Sequence, residues 1–338
     1  MKVTIYDVAK KAGVSISTVS RVLNNTGRIS ERTRKRVLRV MEELHYQPSM
    51  VASALTGKRT RTIGLVIPDV ANPFFSEIAR KVEDRGREQG FNVLMCNTDN
   101  NPETEEMYLS LLRQKSVDGI IIGTTTNNYT MIKELLERNF PLVFIAQDIP
   151  ELAINVVRVD DFLGGYQAVS HLVSLGHQQI AIMLGNLRRT SDKYRLQAYQ
   201  QVLQENGLKY EESWIVYTDY SMVDGKRAAM ELLQSTPRPT AIFACFDSLA
   251  VGIYQAAKEL GLRIPHDLSV VGFDNTILSS IIDPPLTTVA QPIEEMGRQA
   301  VDLLIAQVEG ANHTKQRIIL PPHLVVRRSA CHIAKVKS

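Results

Sequence analysis

Cysteine is scarce in this 338-residue chain: Cys96, Cys245 and Cys331 lie far apart, and none belongs to a Cys-x-x-Cys pair. That excludes the usual zinc and dithiol centres and fits a reducing cytoplasm, where thiols serve as small apolar groups. Long apolar runs are absent too, and nothing approaches the roughly 20 residues that span a bilayer, so no membrane partner is expected. Met1–Lys11 interleaves Asp7, Lys10 and Lys11 with apolar residues and lacks the core of a secretion signal, which argues against an exported binding protein. The signatures of common α/β enzymes are also missing. Ile63–Ile67 is not followed by Gly-x-Gly-x-x-Gly, and there is no phosphate loop, no Gly-x-Ser-x-Gly elbow and no His-Glu-x-x-His. The seven histidines show no metal-ligand spacing, and His45, His171 and His177 fall near helix ends. The chain therefore reads as a non-enzyme, with no catalytic residues, metal or other cofactor.

What is present is an uneven distribution of charge. Met1–Arg61 holds 13 Lys and Arg against 4 Asp and Glu, whereas the remainder holds 26 against 32. A basic N-terminal module on an acidic body is the electrostatic footprint of a nucleic-acid binder.

The chain divides into residues 1–48, a connector 49–61, and a large remainder 62–338. In the first piece, Thr4 with Asp7 is a helix-start pattern, and Gly13 stops a helix over Ile5–Ala12. Ser15 caps a second helix reaching about Asn24, and Ser30 caps a third, in which Val37, Leu38, Met41 and Leu44 form an apolar stripe. Beyond Thr62, the apolar runs Ile63–Ile67, Phe91–Cys96, Val117–Gly123, Leu142–Ala146, Ile180–Leu184, Ala241–Phe246 and Ser269–Phe273 read as buried strands separated by helices. This alternation predicts an α/β architecture of parallel doubly wound sheets. So many strands exceed one compact sheet, and two lobes are expected, opening near Thr62 and Gln179.

Two short helices joined at Gly13-Val14-Ser15 form a helix-turn-helix, whose second helix enters the major groove of DNA. Val19, Val22 and Leu23 turn inward onto Val8 and Ala9. Ile16, Ser17, Ser20, Arg21 and Asn24 occupy the opposite face, with 17, 21 and 24 at i, i+4, i+7. Arg21 can grip two guanine acceptors, Ser17 can bond a base edge, and Ile16 can press on a thymine methyl. Tyr6, Ser15, Thr18 and Asn25 are placed for phosphates, which set register without reading sequence.

The run Thr4-Ile-Tyr-Asp-Val-Ala-Lys-Lys-Ala-Gly-Val-Ser with Thr18-Val-Ser-Arg-Val-Leu-Asn resembles the headpiece of the lactose-repressor (LacI/GalR) family. The similarity continues through Val51-Ala-x-x-Leu55, Asn72-Pro-Phe-Phe, Val117-Asp-Gly-Ile, Gly272-Phe-Asp-Asn, Pro285-Leu-Thr-Thr-Val and Arg327-Arg-Ser. The resemblance implies a sequence-specific transcription regulator, most simply a repressor, that binds a near-palindromic operator as a homodimer. It implies a connector that becomes helical on DNA and wedges Leu55 into the minor groove. It also implies a larger domain resembling a periplasmic sugar-binding protein, with crossovers near 157–160, 289–292 and 320–322. One lobe would then hold about 62–158 and 292–320, and the other about 160–289 and 321–330.

Ligands of such sheets bind beyond the carboxyl ends of the strands, so Asp274, after Ser269–Phe273, should point into the cleft between lobes. Carried over by resemblance, the effector contacts fall on Phe75, Arg189, Ser191, Arg195, Tyr220, Phe246 and Asp274. Two departures bear on the effector. Ala146 stands where sugar-binding relatives often have a polar residue, leaving Gln147 or Asp148 as substitutes, and Phe246 replaces a small polar residue. Sugar, phosphosugar and purine-like effectors all stay open. The alternative is control by a phosphorylated protein corepressor, as in catabolite control proteins. Here the matching positions are the acids Glu294 and Asp302, which would repel a phosphoserine.

The connector yields a prediction. Nine residues are too few to hold a helix alone in water, because nucleation costs more than so few bonds return. Leu55→Ala is therefore expected to weaken operator binding and blunt the effector response together, with effector affinity off DNA unchanged. Operator titrations with and without effector, paired with a bending assay, check this; wild-type binding and bending would refute the wedge.

Overall fold

The computed structural model describes residues 3–23, 26–46, 59–125, 128–209, 211–311 and 314–333. The expected hinge helix, with Leu55, and the readout positions Asn24 and Asn25 lie outside them. The chain forms two compact units, Met1–Thr60 and Arg61–Ser338.

The first unit is built from local signals. Helix α1 spans Ile5–Ala12, and at its start the Asp7 carboxylate accepts from the Thr4 backbone N–H at 2.8 Å and its hydroxyl at 2.7 Å. Gly13 ends it at φ 61°, a left-handed conformation that disfavours side chains with a Cβ. Helix α2 is Ile16–Leu23, capped by the Ser15 hydroxyl, and α3 is Glu31–Glu43, capped by Ser30; each cap oxygen accepts an amide N–H at 3.2 Å. Val8, Ala9 and Ala12 pack with Val19, Val22, Val37 and Val40 in one apolar core. The α3 stripe differs from expectation: Leu38 is half exposed, and Val40, one turn after Val37, fills the core instead.

The second unit carries two six-stranded sheets. In chain order its elements are β1 (Thr62–Ile67), α4 (Pro73–Glu88), β2 (Asn92–Asn97), α5 (Pro102–Gln114), β3 (Gly119–Ile122), α6 (Tyr129–Glu137), β4 (Leu142–Ile145) and β5 (Asn155–Val159). Then come α7 (Asp161–Ser174), β6 (Ile180–Leu184), α8 (Thr190–Glu205), β7 (Ile215–Tyr217), α9 (Met222–Leu233), β8 (Ala241–Ala244), α10 (Asp247–Glu259) and β9 (Ser269–Asp274). Last are α11 (Ile277–Ile281), β10 (Thr287–Ala290), α12 (Ile293–Val308), β11 (Arg317–Leu320) and β12 (His323–Val325). The sheet orders are β11-β5-β4-β3-β1-β2 and β12-β10-β9-β8-β6-β7.

Both sheets thus repeat one doubly wound order, 2-1-3-4-5, with a sixth strand from the C-terminal region at the far edge. Helix α12 leaves the second sheet after β10 and returns to pack on α4 and the first sheet, where Met296, Ala300, Val301 and Leu304 join Ile63, Leu65 and Ile78. Two features depart from the sequence reading. β12 runs antiparallel to β10 because the chain leaves β11 at the carboxyl end of the first sheet and enters the second sheet at its carboxyl end. β2 is an edge strand that leaves Leu94 and Met95 exposed, since no strand or helix covers its outer flank as the central strands are covered.

Where α9 and α10 meet there is no room for a side chain. A Cβ on Gly252 would stand 2.6 Å from the Lys226 amide nitrogen and the Met222 carbonyl oxygen, both backbone. Gly252→Ala should destabilise this unit by about 1–3 kcal/mol, the usual range for overpacking. Thermal unfolding checks it; an unchanged melting temperature would mean the helices separate freely.

Candidate DNA-binding face and ligand cleft

On the first unit, the residues expected to meet DNA lie opposite the core. Val19 and Val22 of α2 are buried, whereas Ile16, Ser17 and Arg21 are exposed and Thr18 and Ser20 are half-buried. Tyr6 projects from α1, 68% exposed. Ser15, Ser17 and Thr18 form a hydroxyl cluster, with Ser15 Oγ 2.7 Å from Ser17 Oγ and 2.9 Å from Thr18 Oγ1. Ser15 Oγ also accepts the Thr18 amide as the cap of α2. Asp7, the acid of α1, is turned onto Thr4, which holds its carboxyl below the ordinary range.

On the second unit, a cavity of about 110 Å³ opens at the carboxyl ends of both sheets. That is room for about four waters at roughly 30 Å³ each, or for one small ligand. The first sheet contributes Asp69 and Asn72 after β1, Phe74 and Phe75 from the first turn of α4, Asn100 after β2, and Ala146 and Gln147 after β4. The second contributes Arg189, Ser191 and Arg195 around the start of α8, Asp219, Tyr220 and Ser221 after β7, Phe246 after β8, and Asp274 at the end of β9. Asp161, at the start of α7, and Gln291 complete the lining.

Two buried arginines organise the walls. Arg195 donates from Nε and Nη2 to Asp161 Oδ1, at 3.0 and 2.7 Å, and from Nη1 to the Cys245 carbonyl. Its guanidinium lies 3.5 Å from the Phe273 ring centroid and 4.9 Å from that of Phe246. Arg189 donates to Asn100 Oδ1 at 2.8 Å and stacks on Tyr220 at 3.9 Å, so one side chain joins the two lobes. Tyr220 meets Phe246 edge-on with centroids 5.4 Å apart, and its hydroxyl donates to Asp192 at 3.1 Å.

Two buried carboxylates interact here, Asp274 in the cavity lining and Asp247 outside it. Asp274 takes a bond from Gln291 Nε2 at 2.7 Å, and burial pushes its pKa well above the ordinary range. Asp247, fully buried, accepts from the Thr276 amide at 2.7 Å and the Thr288 hydroxyl at 2.7 Å, yet burial still pushes it up to about 7.

Comparison with known proteins settles the family. The model described as bacterial regulatory proteins, lacI family, matches residues 4–49, and the periplasmic binding protein-like domain matches 169–330. HTH-type transcriptional regulator DegA of Bacillus subtilis (strain 168) is 49% identical over 332 residues, covering 97% of this chain and 98% of that protein. The chain belongs to the lacI family. Catabolite control protein A of Priestia megaterium is 37% identical, over 97% of this chain and 99% of its own. The Lac repressor dimer bound to operator and the anti-inducer ONPF superposes with TM-score 0.87 and 33% identity, covering 98% of this chain and all of that one.

This LacI-family chain is a DNA-binding transcription regulator and not an enzyme. Of the cleft residues expected from sequence, Phe75, Gln147, Arg189, Ser191, Arg195, Tyr220, Phe246 and Asp274 all line the one cavity. Asp148 does not join them. Its carboxylate faces Arg317 Nε at 3.3 Å and Arg158 Nε at 3.8 Å, and only its carbonyl reaches across, accepting from the Thr190 hydroxyl at 3.1 Å. The turn after β4, entered at Ala146 with φ 60°, keeps Ala146 and Gln147 at the cavity and carries Asp148 away from it. Arg195 also departs from expectation, because much of its donor fork meets Asp161 rather than open space. Asp161, Asp69, Asp219 and Gln291 were not legible as site residues. The only hints were the Asp160-Asp161 pair after an apolar run and Asp69 just before the family-like Asn72-Pro-Phe-Phe. Glu294 and Asp302 of α12 pair with Lys81 at 2.9 Å and Arg85 at 2.8 Å on α4. Among the described residues no helix is long and apolar enough to cross a membrane.

The buried pair makes stability depend on pH. Asp247 keeps its proton to about pH 7 when folded and releases it near 3.8 when unfolded. The folded state therefore holds the extra proton between those values, and stability falls as pH rises through that window. In melts from pH 4 to 7.5, Asp247→Asn should flatten this fall relative to wild type. Parallel curves would show that Asp247 is ionised throughout.

Proposed function

We propose that this regulator binds a near-palindromic operator as a homodimer, in the cytoplasm, and that a small molecule in the cleft sets its operator affinity. The observation that carries the reading is the cavity itself. It has a mixed polar and apolar lining, is formed by loops of both lobes and is bridged by Arg189, so an occupant that engages both sides favours one arrangement of the lobes over others. A ligand that binds two arrangements unequally shifts their populations, which is all that allosteric control requires. The DNA face would read bases through Ile16, Ser17, Ser20, Arg21 and Asn24, and hold phosphates through Tyr6, Ser15, Thr18 and Asn25, with Leu55 as wedge. One lobe would hold about 62–158 and 292–320 and the other about 160–289 and 321–330, a division supported by the change of sheet after β5, after β10 and between β11 and β12. Control by a phosphorylated protein is disfavoured by Glu294 and Asp302, whose acids face the cations of α4 and would meet a phosphoserine with like charge.

The test begins with selection of a binding site from random duplexes. The protein should enrich a near-palindrome and lose affinity steeply with salt as phosphate contacts release counterions. On that site Arg21→Ala should cost about 1–3 kcal/mol and far less on random DNA, because a bidentate base contact is lost. Equal losses on both would make Arg21 a phosphate contact, and enrichment of no site would end the operator reading.

A further inference from the structure

Helix α3 carries a charged face that base reading does not use. Val37 and Val40 turn inward onto α1 and α2, with Thr33, Arg34 and Met41 half-buried beside them. Arg32, Lys35, Arg36 and Arg39 are exposed on the opposite side. Their i, i+3, i+4, i+7 spacing sets them on one stripe, about 10 Å long at roughly 1.5 Å per residue. The cations are unanswered: among the described residues, none of these side chains makes an ion pair or a hydrogen bond. Glu43, one turn beyond Arg39, is taken by Lys11 of α1 at 2.9 Å, and Glu31 and Glu42 stand in the first and last turns.

On helices of the second unit, exposed arginines are answered locally: Arg80, Arg87, Arg227 and Arg298 each pair with a carboxylate three or four residues away. On α3, by contrast, Arg32 with Arg36 and Lys35 with Arg39 are like charges at i, i+4, which repel along the helix. A polyanion laid on the stripe turns that repulsion into attraction. Duplex DNA presents one phosphate charge per about 1.7 Å of axis, so the stripe spans about six. The major groove, about 12 Å wide, takes one helix, and that place belongs to α2. Because α2 and α3 pack on one core, their outer faces diverge, and a duplex seated on α2 leaves the stripe turned away from it.

We propose that the outer face of α3 is a second DNA-binding surface, blind to sequence, which holds the phosphate backbone of another duplex while α2 sits in the first. Arg32, Lys35, Arg36 and Arg39 supply the contacts, each a cation against a phosphate and none aimed at a base edge. A regulator that grips two segments at once can bridge them, and can pass from one to the other without returning to free solution. The proposal rests on the reading of α2 as the helix that enters the groove, and its test separates the two.

The site enriched from random duplexes is anchored on beads and loaded with the full-length protein, and a labelled mixed-sequence duplex lacking that site is added at about 50 mM salt. Wild type should retain the second duplex, with apparent affinity falling about 100-fold by about 200 mM salt, the dependence expected of four phosphate contacts. Arg32→Gln, Lys35→Gln, Arg36→Gln and Arg39→Gln combined should lose at least about tenfold in capture, yet hold the anchored site within about threefold of wild type. Changing the three arginines to lysine keeps the charge and should capture as wild type does, because a phosphate accepts lysine as a point charge. Lys35→Gln with Arg39→Gln alone should lose at least about threefold at an unchanged melting temperature, so the result does not hang on the folding of the fourfold variant. No retention by wild type, or equal capture by the fourfold variant, would overturn the proposal. So would an equal loss on the anchored site, which would place the stripe on the first duplex. If no site is enriched at all, the reading of α2 fails and this proposal with it.

Discussion

A guanidinium shut away from water must have its donors met, and Arg195 is where that demand shapes the second lobe. Its partners come from three elements: Asp161 at the start of α7, the Cys245 carbonyl after β8, and the Phe273 ring on β9. Losing one partner of a buried pair typically costs about 3–5 kcal/mol, because the other charge stays behind uncompensated. The contact depends on a close approach of α7 to its neighbours. A Cβ on Gly165 would lie 3.0 Å from Ala198 Cβ and 3.1 Å from Arg195 Cα, and one on Gly164 would lie 2.6 Å from the Phe273 ring. Two adjacent glycines thus let the helix that carries Asp161 sit against the helix that carries Arg195 and the strand that carries Asp274.

Backbone strain gathers at the same place. Asp99 (φ 53°), Asn100 (φ 56°), Ala146 (φ 60°), Tyr220 (φ 74°), Asp274 (φ 117°) and Asn275 (φ 58°) all adopt positive φ at or beside the cleft. Such conformations cost of order 1–3 kcal/mol each and persist where the surroundings over-determine them. Ala146 and Asp274 lie at the ends of β4 and β9, central buried strands rigid enough to impose the turn, whereas Asp99, Asn100 and Tyr220 follow the edge strands β2 and β7. Stability of the sheets is thereby converted into preorganisation of the loops, and Arg189 and Thr190 carry that order from one lobe to the other through Asn100 and the Asp148 carbonyl.

Much of this molecule is readable without coordinates, and the readable parts share one property: their causes are local. Thr4 with Asp7, Gly13, Ser15 and Ser30 mark helix ends because a cap acts within one turn of the residue that makes it. The alternation of apolar runs announces parallel sheets because central strands are covered on both faces. Even so, Leu38 and Val40 exchange places against expectation, since an apolar stripe gives a face to within about one residue and the packing of α1 and α2 decides the rest.

The basic helix-turn-helix, the two-lobed α/β body and most of the residues that face the cleft were determined by the sequence alone, through spacing, charge and family motifs. What only the tertiary structure decided is which neighbours those residues keep. The matching 2-1-3-4-5 order of the two sheets leaves no repeat in the sequence, because topology constrains the burial of strands and not the identity of their residues. Asp161, Asp219 and Gln291 are distant in sequence from Asp274 and share no motif with it, yet the carboxyl ends of parallel strands deliver all four to one cavity. Gln147 and Asp148 are chain neighbours, yet one lines the cavity and the other pairs with Arg317, because the positive-φ turn at Ala146 after β4 replaces the regular alternation of a strand.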